Sequence, residues 1–217
     1  MKKLLALVLA LSLVFCFAGC GTSPEDVRGE QQDNTASDKE FAMGAVEGLT
    51  YENKFIGIGC KLDSNWAFYT DEEIKELNNL SEEIMGEELT ETIKEADIVY
   101  DMYASTAEGY TIIITLQMAT ALQVLSLDLK ENFKAIFDSL KTSFEGAGFT
   151  DVNYELSTVK IGDKDFDCMN LTMKLEGVTL YETLISIKCS NYLANIAVAS
   201  IDKATVDSAL ASFYLVD

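Results

Sequence analysis

Residues 152 to 200 constrain the fold more than any other stretch. Four apolar-rich segments, Val152–Ile161, Asp165–Leu175, Thr179–Cys189 and Asn191–Ser200, read as extended and follow one another with almost nothing between them. Gly162-Asp163 and Glu176-Gly177 separate the first three, and both dipeptides suit tight turns with positive φ. Strands joined so closely run antiparallel, because a parallel neighbour needs a crossover of about a dozen residues. An antiparallel sheet is therefore fixed before any other element is placed.

The preceding residues supply more strands and the helices to cover them. Ile98–Ser105 and Tyr110–Met118 read as a hairpin around Gly109, with Ile112, Ile114, Leu116 and Met118 on one face. The other face carries Ile113 among Thr111, Thr115 and Gln117. Ser126 or Asp128 then caps a helix whose Leu129, Phe133, Ile136, Phe137, Leu140 and Phe144 make one apolar stripe. Gly146 and Gly148 end it. Upstream, Lys54–Leu62 alternates like a strand, and its Gly57 and Gly59 suggest a bulge or a close approach from above. Trp66 to Tyr69 reads as a short extended piece. Thr70-Asp71-Glu72-Glu73 is a capping box for a helix, and a second helix is expected from about Ser81 to Ala96. A closing helix is expected from about Lys203 to Phe213. The expected class is α+β, a central antiparallel sheet flanked by helices.

The N-terminus tells where such a domain would live. Met1-Lys2-Lys3 is a short basic region, and Leu4 to Phe17 is an apolar run with the length of a signal core rather than a membrane span. It ends in Phe17-Ala18-Gly19-Cys20, which resembles the signal of bacterial lipoproteins. That resemblance implies cleavage after residue 19, a diacylglycerol thioether and palmitate on Cys20, and attachment to the outer face of the bacterial cell membrane. Residues 20–48 are polar, hold the sole proline, Pro24, and read as a tether. Residues 49–217 then form one domain.

Composition removes several functions. The chain carries 36 acidic against 16 basic residues, a net charge of −20, which repels nucleic acid and anionic lipid headgroups. There is no histidine, so neither a Ser-His-Asp site nor a His-ligated metal centre can be assembled. Of five cysteines, Cys16 leaves with the signal and Cys20 takes the lipid. Cys60, Cys168 and Cys189 remain, with no C-x-x-C pair; a two-residue turn at Glu176-Gly177 would leave Cys168 and Cys189 four residues out of register, and a three-residue turn would put them on opposite faces. They are expected as free, largely buried thiols, and no cofactor is expected.

Tyr51, Phe55, Gly57, Leu62, Trp66 and Phe68, followed by a long central helix, consecutive late strands and a final Ala209-Leu210-x-Ser212-Phe213, resemble the PsbP-like fold. This is an α/β/α sandwich found in photosystem extrinsic subunits and many bacterial lipoproteins. The resemblance implies a non-catalytic binding or assembly module over residues 50–215 and brings no site residues with it. Trp66, Phe68 and Tyr69 beside acidic helices are the candidate ligand groove. Asp163-x-Asp165-x-Asp167 starts like a calcium loop but has Cys168 and Lys174 where glycine and glutamate are needed. Ser157-Thr158-Val159-Lys160 matches a serine–lysine signature, yet in a strand the two side chains point to opposite faces. The competing classes are a carboxylate-based, glycosidase-like hydrolase and a weak calcium-dependent surface module built on the acids of Asp71–Asp97. Its partner is expected to be the membrane through Cys20 and an extracytoplasmic protein or small ligand, not nucleic acid.

Overall fold

The computed structural model describes residues 40–70, 72–74, 76 and 98–216. Signal, lipobox and most of the tether, like the helix expected at Ser81–Ala96, lie outside the described residues.

Eleven strands are described: β1 (Ala45–Glu47), β2 (Thr50–Asn53), β3 (Ile58–Lys61), β4 (Trp66–Phe68), β5 (Ile98–Thr106), β6 (Thr111–Met118), β7 (Thr150–Ile161), β8 (Lys164–Leu175), β9 (Val178–Cys189), β10 (Tyr192–Ser200) and β11 (Phe213–Leu215). With them are α1 (Ala121–Ser126), α2 (Leu129–Gly146) and α3 (Lys203–Leu210). The four late segments form β7–β10, antiparallel throughout. Glu176 (φ 51°) and Gly177 (φ 83°) make the turn that pairs Leu175 with Val178. The large sheet runs β4-β5-β6-β10-β9-β8-β7, and a small one runs β1-β2-β3-β11.

The large sheet is buried on both faces, and β6 alternates between two cores. Ile112, Ile114 and Leu116 pack with Tyr51, Ile58, Cys60, Val206, Leu210 and Phe213 from the small sheet and α3. Ile113 faces the other way, into Phe133, Ile136, Leu140 and Phe144 of α2. The stripe on α2 is thus the one read from the sequence, and its cap is Asp128, whose carboxylate accepts the Glu131 N–H at 3.0 Å. The capping box at Thr70 also forms, with the Glu73 carboxylate accepting the Thr70 N–H at 2.8 Å.

Four expectations change. One outer layer is mostly a second sheet, so the helix-flanked sandwich holds on the α2 side only. Lys54–Leu62 is not one strand: residues 54–57 turn between β2 and β3, with Gly57 at φ +71°. Gly59 does lie under a close neighbour, since a Cβ there would sit 2.7 Å from the Tyr214 ring. The closing helix stops at Leu210, and Phe213–Leu215 returns as an edge strand on β3. Finally, the domain begins before residue 49. Phe41 stacks on Tyr192 with ring centres 4.7 Å apart, and Ala45–Glu47 pairs with Thr50–Glu52.

Candidate functional site

A cleft of about 620 Å³ opens at the end of the large sheet where the β5–β6 turn meets the start of α3. Trp66 lies along it with Lys61, Asp63, Glu108, Tyr110 and Asp202. β4 holds Trp66 in place by pairing it with Thr106, and only 9% of the side chain is exposed. The indole therefore forms a wall of the cleft and a part of the core at once.

The three aromatic residues singled out in the sequence do not converge. Trp66 and Phe68, two apart on a strand, share the face of the small sheet and α3. Tyr69 belongs to the opposite layer, its ring 4.5 Å from that of Tyr103, and its hydroxyl accepts from Ser105 at 3.1 Å. A groove lined by all three is thus corrected to a cleft with Trp66 alone on its wall. The alternation of β4 and its outgoing turn separates them.

Two of the three carboxylates in the cleft are engaged by their own backbone. Asp63 accepts the Asn65 N–H at 2.8 Å. Asp202 caps α3, accepting the Ala204 N–H at 3.2 Å and the Thr205 hydroxyl at 3.0 Å. Glu108 and Lys61 also line the cleft. A second, smaller cleft of about 310 Å³ lies beside α3 over β7, β8 and β9. There Thr183 donates to Asn170 at 2.8 Å, and Asp207 is held by Lys203 at 2.8 Å.

Asp101 is a polar centre that strand alternation does not reveal. The β5–β6 register shifts between Tyr100 and Met102, a bulge that re-aims the residue between them. The Asp101 carboxylate accepts the Tyr51 hydroxyl, the Asn53 amide at 2.7 Å and the Gly44 N–H at 2.7 Å. Burial, and then the neighbouring carboxylate, push the Tyr51 phenol far above its ordinary value. The unpaired sign of this site is absorbed by donors, and it ties residues 42–44 to the sheet.

The remaining motifs are structural. Ser157 to Lys160 lies within β7, and Asp163, Asp165 and Asp167 sit on the β7–β8 turn and the start of β8. Asp167 pairs with Lys130 at 3.2 Å. No group of three or more acid, cysteine or histidine side chains is gathered for a metal among the described residues; the acids of Asp71–Asp97 lie mainly outside them. Cys60, Cys168 and Cys189 form no disulfide among the described residues, and Cys189 is only half-buried. Cys168 stands opposite Ile185, four residues from Cys189, and the Cys189 thiol donates to the Phe55 carbonyl.

No helix among the described residues is long and apolar enough to cross a membrane. No family model matches the chain, and no curated protein matches it. Among solved structures it is similar to a protein of Bacteroides thetaiotaomicron VPI-5482, with 14% identity and a TM-score of 0.38, over 79% of this chain and 50% of that one. The chain spans about half the length of that structure.

Proposed function

We propose that this protein is a lipoprotein anchored through Cys20 to the outer face of a bacterial cell membrane, whose PsbP-like α+β domain binds a small ligand or an extracytoplasmic partner without catalysis. The Phe17-Ala18-Gly19-Cys20 signature supports the location. The binding half rests on one observation, the Trp66 cleft, which is large enough for a small molecule. A carboxylate-pair hydrolase needs two acids free to act across a cleft, whereas Asp63 and Asp202 are committed to turn and helix caps.

Two measurements test this reading. Cys20→Ser should move the protein from the membrane to the soluble fraction or block its processing; unchanged retention would refute the anchor. Trp66 is the only tryptophan, so its emission reports the cleft directly. Titration with a library of small extracytoplasmic metabolites should shift that emission for at least one compound class. Turnover by the purified protein in a broad hydrolase panel would instead overturn the non-catalytic half.

A further inference from the structure

Exposed large apolar side chains are concentrated at one end of this acidic domain. Phe41 (39% exposed), Met43 (45%), Val99 (39%), Met118 (47%), Leu122 (66%) and Leu125 (60%) make up six of the eleven found among the described residues. Strand pairing gathers them. Met118 is opposite Tyr192, on whose ring Phe41 stacks. Val99 is opposite Leu116, two residues along β6 from Met118. Gly44, next to Met43, is bonded to Asp101 near the start of β5. α1 begins three residues after Met118, with Thr120 capping it. Leu122 and Leu125 are three apart and share one side of that helix, while buried Val124 holds it against the sheet.

Nothing in a small apolar core requires such residues outside, and α1 spends two leucines on solvent. Exposed Lys188 lies beside the patch, its ammonium donating to the Leu125 carbonyl at 3.3 Å. This end holds the β9–β10 turn and the start of β5. It is also where residue 40 enters the domain. A polar chain as long as the separation of Cys20 from Glu40 has a typical reach of roughly 25 Å.

We propose that this end is a membrane-docking face, resting Phe41, Met118, Leu122 and Leu125 in the headgroup boundary of the bilayer that holds the Cys20 lipid. The proposal rests on the lipid-anchor reading above. Four to six apolar side chains would bind a bilayer weakly by themselves, but anchoring raises their effective concentration at its surface. The Trp66 cleft lies at the other end of β5 and β6, by the 106–111 turn, so docking would point it away from the membrane.

Hydroxyl-radical footprinting of the full chain tests this. Lipidated protein in vesicles of phosphatidylethanolamine and phosphatidylglycerol is compared with Cys20→Ser protein in solution. Met43, Met118, Leu122 and Leu125 should lose reactivity severalfold on vesicles, while Val178 and Ile201 at the opposite end keep theirs. Leu122→Glu combined with Leu125→Glu should return Met118 to its soluble reactivity without releasing the protein. Vesicle-bound protein with unchanged reactivity at Met118 would overturn docking and leave the anchor standing. Protein that never partitions to vesicles would remove the anchor, and docking with it. Protection that grows in solution with the protein's own concentration would assign the face to a second copy and overturn the proposal.

Discussion

Asp101 shows how one residue can be decisive and still be invisible in the sequence. It sits in Ile98–Ser105 as a lone acid in an apolar strand, and only the bulge turns it toward Tyr51, Asn53 and Gly44. Asp101→Ala would strand the buried Tyr51 hydroxyl and the Asn53 amide without their acceptor. Each buried donor left unsatisfied costs about 1–3 kcal/mol, so a large fall in urea midpoint is expected. Asp101→Asn keeps an acceptor oxygen and should cost less. Early protease cleavage before β2 should accompany the alanine variant, because Gly44 loses its tie to the sheet. Equal stability of both variants and wild type would show that this cluster holds nothing. The unbridged thiols, by contrast, were legible: either turn length at Glu176-Gly177 keeps Cys168 and Cys189 apart, and the two-residue turn that formed puts Cys168 opposite Ile185.

Among the elements, α2 is where periodicity and packing agree most closely. Leu140 is fully buried, and Leu140→Ala should cost about 2–5 kcal/mol through lost contacts and a residual cavity. Asp128→Ala removes only the N-cap acceptor and should cost about 1 kcal/mol. Urea unfolding of the two variants checks the ratio, and a cap loss equal to the core loss would mean α2 is held by its end rather than its stripe. β11 is the counterexample. Ser212 and Phe213 read as the tail of a helix because Val206, Leu210 and Phe213 keep helical spacing. Yet α3 stops at Leu210, and the chain gains more by capping the open edge of β3 than by another helical turn. The same tertiary preference made the first half of Lys54–Leu62 a turn into β3, where alternation alone reads as one strand. Local pattern therefore located the elements with long uniform faces, and missed those decided by an edge needing a partner. A chain ending at Ser212 should expose Ile58–Lys61 and self-associate, visible as a rise in light scattering; a monodisperse truncated protein would contradict that role.

At the scale of the whole molecule, the large sheet separates two apolar layers, and each layer hides groups that must stay protonated. On one side, burial pushes the Cys60 thiol from its ordinary value of 9.0 up to about 12. Burial likewise pushes Cys168, on the same side, up to about 11, helped by the nearby Asp167 carboxylate. On the other side, burial and then the Tyr69 and Tyr100 rings raise the Tyr103 phenol above its ordinary 10.0. A group whose value is raised on folding contributes stability that is complete below the unfolded value. That contribution drains away as pH climbs toward the folded value. The domain should accordingly keep a flat stability profile through neutral pH, since none of these groups ionises there in either state. It should begin to lose stability near pH 9.0, the ordinary thiol value, and lose it more steeply above 10.0, as the unfolded tyrosines ionise too. Cys60→Ala removes one of these groups from the core. Its urea midpoint should start lower than that of wild type, yet fall less between neutral pH and pH 10.0, the range in which an unfolded thiol ionises before tyrosine. The slope carries the test. Parallel curves for variant and wild type would mean that Cys60 ionises as easily folded as unfolded, and that the layer between the two sheets admits water.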